Sequence, residues 1–117
     1  MELLKEFFTV MTQIKLYHWQ TKRYSRHKST DEFFSNINEL IDRYIETYQG
    51  KHGVIFVENK LNIYVENISD KNILKFMDDF KNFLIGLKHE SKDSDLSNIR
   101  DEMLGLVNQT LYLFTLK

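Results

Sequence analysis

A chain of 117 residues without a single proline can run its backbone through long helices, because nothing in it removes an amide N–H or clashes with the preceding turn. The apolar residues repeat accordingly. Leu4, Phe7, Met11, Ile14 and His18 follow a four-three spacing that draws one stripe down a first helix. Ser29, with Glu32 three residues on, predicts a capping box at the start of a second helix after a polar connector at Tyr24 to Lys28. That helix carries Phe34, Ile37, Ile41, Tyr44 and Tyr48, and Gly50 is the expected stop.

Beyond His52 the pattern changes. Val54 and Phe56, then Leu61, Ile63 and Val65, alternate with period two around Glu58-Asn59-Lys60, which predicts an extended crossover with short strands or a hairpin. Ser69 or Asp70 is placed to cap a third helix, with Ile73, Phe76, Met77, Phe80, Phe83, Leu84 and Leu87 facing inward. After a polar break from His89, Ser94 is placed to cap a fourth, along Leu96, Ile99, Met103, Leu106, Thr110 and Leu113, with Leu111 and Phe114 beside them. The expectation is an all-α chain and one domain over residues 1–117. Two helical hairpins joined by a long crossover have the connectivity of a ferritin-like four-helix bundle.

Composition narrows the function. With 42% hydrophobic residues the chain can build a core, and with no cysteine it has no disulfide, zinc finger or iron–sulfur cluster. A net charge of −1 argues against a dedicated nucleic-acid binder. Neither a signal peptide nor a membrane span is legible, so a soluble intracellular protein is expected. No phosphate loop, nucleophile–base pattern or His-Glu-x-x-His motif supports a kinase or hydrolase.

What stands out is a group of metal-ligand residue types in the first 46 positions: His18, His27, Asp31, Asp42 and Glu46. His27 and Asp31 are four apart, as are Asp42 and Glu46, so each pair shares a helix face. Imidazole nitrogen with carboxylate oxygen suits iron, zinc or manganese. Asp42 lies about 100° round the helix from Ile41, so the Asp42–Glu46 pair flanks the core, where a partner subunit could cover it.

The segment from Lys15 to Gly50 resembles the ferroxidase segment of Dps proteins, the small ferritins of starved bacteria. His18-Trp19-Gln20 is similar to that family's His-Trp-Asn element, His27 with Asp31 to its loop histidine and acid, and Asp42 with Glu46 to its Asp-x-x-x-Glu. The nine-residue step from His18 to His27 is shorter than usual there, and Gln20 stands where asparagine is common. The resemblance implies a short variant, of a kind associated with large DNA viruses and phages. It further implies an inter-subunit site in a homodimer or larger homo-oligomer: His18, His27 and Asp31 from one protomer, Asp42 and Glu46 from its two-fold mate. Iron would be bound as Fe(II) and oxidised to Fe(III), for storage or detoxification, with other divalent metals as rivals. Trp19 would take up stray oxidising equivalents.

Plainer readings accompany these. Asp42 could pair with Arg43 or Arg100 and Glu46 with Lys51, on a solvated helix face. The run Lys22, Arg23, Arg26, Lys28 reads as a solvated connector, and no Lys-rich tail is expected, so DNA is not an expected partner. His52 and His89 read as surface residues near turns, and Tyr17, Tyr44 and Tyr48 as packing residues. A second functional reading keeps the bundle for non-catalytic assembly or partner binding through Phe8, Phe33 and Tyr48, with a remnant metal site.

Overall fold

The computed structural model describes residues 2–117 and is all-helical, with α1 at Glu2–Gln20, α2 at Tyr24–His52, α3 at Asn72–Gly86 and α4 at Ser94–Leu113. A short 3-10 turn, Ser91–Asp93, leads into α4. α2 packs against α1 on one side and α4 on the other, while α3 packs against α4 and more lightly against α1. One core lies between the four helices. It is built from Phe7, Val10, Ile14 and Tyr17 of α1, Phe33, Ile37, Ile41 and Tyr44 of α2, Ile73, Met77, Phe80 and Leu84 of α3, and Leu96, Ile99, Met103 and Val107 of α4.

Most stripe residues are buried where the spacing puts them, Phe7, Ile14, Ile37, Ile41 and Tyr44 among them, and the register shifts by about one position at a few sites. Val10 and Tyr17 are buried while Leu4 and Met11 lie on the shoulder of α1. Phe33 is core and Phe34 only half-buried, so Phe33 is not a surface for partners.

α2 begins at Tyr24, not at Ser29, and the reason is Arg26. Its guanidinium is buried, donates to the Phe114 carbonyl at the end of α4 (3.3 and 3.2 Å), to the Tyr17 hydroxyl (2.9 Å) and to the Asp70 carbonyl (2.9 Å), and stacks on the Phe114 ring. A cation at a helix C-terminus meets the negative end of the helix dipole. These tertiary bonds draw the basic stretch into the helix, and Ser29 turns inward to bond the Arg26 carbonyl.

Gly50 does not stop α2. Gly53 does, with φ 93°, a value that side chains disfavour, and its N–H closes on the Gln49 carbonyl. At α3, Ser69 does act as a cap: its hydroxyl accepts the Asn72 N–H at 3.0 Å.

No strand or hairpin forms among the described residues. The crossover, 53–71, has its backbone tied by side chains of neighbouring helices instead. Gln13 holds Glu66 at both N–H and carbonyl (3.1 and 2.7 Å), and Gln49 accepts the Ile55 N–H. The alternating Val54, Phe56 and Ile63 are exposed, because no second strand covers them. Among the described residues, no helix is long and apolar enough to cross a membrane.

Candidate metal centre

Because α2 starts early, His27, Thr30 and Asp31 stand on consecutive turns of one helix beside the last turn of α1. The His18 and His27 rings stack nearly parallel, with centroids 3.9 Å apart and planes at 16°. Each ring is fixed through Nδ1. His27 Nδ1 lies 2.9 Å from the His18 carbonyl oxygen, which can only accept, so that nitrogen carries the proton. His18 Nδ1 lies 3.0 Å from the Thr30 hydroxyl, whose own proton is directed to the carbonyls of Arg26 (2.7 Å) and His27 (3.1 Å). The hydroxyl oxygen therefore accepts from His18 Nδ1–H.

In their neutral forms both imidazoles thus leave Nε2 unprotonated, the state required of a metal donor. An N–H donated from the other ring nitrogen is the support that histidine ligands ordinarily have. Asp31, largely exposed, holds a carboxylate oxygen 4.0 Å from His18 Nε2, outside hydrogen-bond range, so neither atom is consumed by the other. Sequence reasoning missed Thr30; its one visible mark is a position three residues after His27.

Asp42 and Glu46 are not part of this group. Asp42 follows Asp31 by eleven residues, which places it roughly 16 Å along α2 but only about 20° round it. Both carboxylates are exposed and line a groove of about 270 Å³ between α1 and α2, together with Leu4, Phe7, Phe8, Met11, Ile41 and Ile45. The ion pairs that would explain them plainly are not made: Arg43 pairs with Glu102, Arg100 with Asp101, and Lys51 with Asp93 and Asp95. Among the described residues, no three ligand-type side chains of a single chain converge to enclose a metal ion.

The other two histidines are engaged in the fold. His89 is half-buried, contrary to the expectation of a surface residue. Its Nε2 meets the Tyr44 hydroxyl at 2.8 Å, and its Nδ1 is buried with no partner among the described residues. Burial, then the nearby Arg100 charge, holds the imidazole below its ordinary range. His52 Nε2 meets Asp93 at 3.2 Å, and the Lys51 ammonium beside it pulls Asp93 below the usual carboxylate range. At the opposite end of the core, the Tyr17 hydroxyl donates to Asp70 at 2.7 Å, and that bond holds Asp70 low.

Residues 18–114 match a family of unknown function (DUF5856), and the chain belongs to that family. The matched stretch contains all five candidate ligand residues. The chain is also similar to the uncharacterized 14.6 kDa protein in the mobD-ri intergenic region of Enterobacteria phage T4, at 30% identity over 105 residues, covering 86% of this chain and 75% of the relative. No solved structure matches it.

Proposed function

We propose that this chain is a Dps-like iron-binding protein, a ferritin-like four-helix bundle that binds and oxidises Fe(II) at a site shared between two copies. The observation that carries the reading is the stacked His18–His27 pair, with both Nδ1 atoms engaged in hydrogen bonds and His18 Nε2 4.0 Å from the Asp31 carboxylate. Imidazole with carboxylate is a donor set that iron accepts. One protomer offers too few donors to hold the ion. Asp42 and Glu46, without ion-pair partners among the described residues and on nearly the same side of α2 as Asp31, are the natural complement from a two-fold mate. Such a mate would bring the histidine end of one hairpin to the carboxylate end of the other, twice, since a two-fold interface is self-complementary. The helix packing order and the long 53–71 crossover agree with a bundle of two hairpins.

In the shared site the neutral imidazoles would bind Fe(II), and the three carboxylates would offset the added positive charge of Fe(III). Each iron would give up one electron to dioxygen or peroxide.

The test is an anaerobic Fe(II) titration followed by oxidant, on wild type and on Asp42→Ala/Glu46→Ala. Saturable binding of about one or two irons per subunit, lost in the folded double variant, is the expected outcome. A folded wild-type oligomer that binds no iron would leave the helical assembly reading, with the ligand residues as remnants.

A further inference from the structure

Trp19, the chain's single tryptophan, is two-thirds exposed at 68%, on the same outward face of the α1–α2 hairpin as the groove that holds Asp42 and Glu46. We propose that Trp19 of one copy docks into this groove of a second copy, so that the indole is the apolar anchor of the dimer. The inference rests on the two-copy reading above and names the contact that would hold the copies in register.

Three observations point to this occupant. The first is register. Phe8 and Trp19 are eleven residues apart on α1, and Asp31 and Asp42 are eleven apart on α2. Each pair lies about 20° apart round its helix. The hairpin sets Phe7 against Tyr44 and His18 against Thr30, so the midpoints of the two pairs fall at the same level. A single two-fold axis there carries Trp19 onto the level of Phe8 while it carries Asp31 onto the level of Asp42.

The second is fit. The groove, about 270 Å³, is apolar along Leu4, Phe8, Met11 and Ile45, and a cavity of roughly 150 Å³ already holds a benzene ring. The third is charge. The indole N–H needs an acceptor when buried, and Asp42 and Glu46 line the groove with no ion-pair partner among the described residues. Lys15, whose ammonium lies 5.9 Å from the Trp19 ring centroid and 4.6 Å from that of Phe34, brings a cation toward the same carboxylates.

A lone tryptophan makes the test direct. On the full chain, emission and acrylamide quenching are followed through dilution and alongside sedimentation, for wild type, Ile45→Glu and Trp19→Ala, with circular dichroism to confirm helicity. The expected result is blue-shifted, protected emission in a wild-type dimer, shifting red on dilution and in helical Ile45→Glu. In Trp19→Ala, whose exposed side chain the monomer does not need, the dimer dissociation constant should rise at least about tenfold. A dimer whose tryptophan is fully quenchable overturns the inference, as does a wild type that stays monomeric at all concentrations. If the dimer binds iron with Trp19 exposed, the anchor alone fails. If it buries Trp19 but binds no iron, the anchor stands and the iron site fails.

Discussion

The four histidines form two pairs, and the pairs use their ring nitrogens in opposite ways. His18 and His27 are held through Nδ1, by a threonine hydroxyl and a backbone carbonyl, and leave Nε2 unbonded. His89 and His52 use Nε2 for the fold, on Tyr44 and on Asp93. A free Nε2 on a ring locked from behind is what a metal ligand requires, whereas a ring tied at Nε2 has already given away its accessible donor. On the proposed reading, the difference separates ligand histidines from structural ones without appeal to sequence position.

The sharpest way to break this comparison is to remove each pair in turn. His18→Ala/His27→Ala should reduce iron binding below detection, measured by titration, with helicity retained. His89→Ala should leave iron binding unchanged and lower stability by about 1–3 kcal/mol in urea unfolding, through the lost Tyr44 bond and the space left behind. Iron loss in His89→Ala, or retention in the double variant, would dissolve the distinction.

Thr30 gives a smaller and more specific effect. Thr30→Val keeps the side-chain shape but removes the acceptor that fixes His18. Iron affinity should fall by about 10–100-fold, the range for a lost supporting bond, with Thr30→Ser close to wild type. An unaffected Thr30→Val would mean that His18 needs no such support.

The third effect is a pH dependence that His89 brings to stability. The folded state holds His89 below its ordinary pKa, chiefly by burial and then through Arg100, with Asp93 and Asp101 opposing. The unfolded chain therefore takes up a proton first, so stability should fall as pH drops below the ordinary value of 6.5. Above that value both states are neutral and the contribution vanishes. Unfolding midpoints across the acid range should show this loss in wild type, and it should be diminished in His89→Gln. An identical pH profile in the variant would assign the loss to other groups.

The helices were legible in the sequence because apolar spacing directly reports which face is buried. Ile73, Met77, Phe80 and Leu84 all lie where that spacing places them. The ends of α2 were not, since Arg26 looks like a solvated connector residue until Tyr17, Asp70 and Phe114, distant in sequence, surround it. The 54–65 alternation suggested strands, but a strand needs a neighbour, and here the glutamines at 13 and 49 take its place. Of the five candidate ligands, spacing alone paired His27 with Asp31 and Asp42 with Glu46. That His18 stacks on His27, and which nitrogen each ring presents, depends on the α1–α2 turn and on Thr30, neither of which periodicity encodes.

The central claim is that the site is completed across two copies, and mixing two defective proteins tests it most directly. His18→Ala/His27→Ala and Asp42→Ala/Glu46→Ala are each expected to bind no iron alone. Co-expressed, they form mixed dimers in which one of the two sites draws intact histidines from one chain and intact carboxylates from the other. Random assortment should restore roughly a quarter of the wild-type iron stoichiometry. No recovery in demonstrably mixed dimers, or full binding by either variant alone, would contradict a shared site.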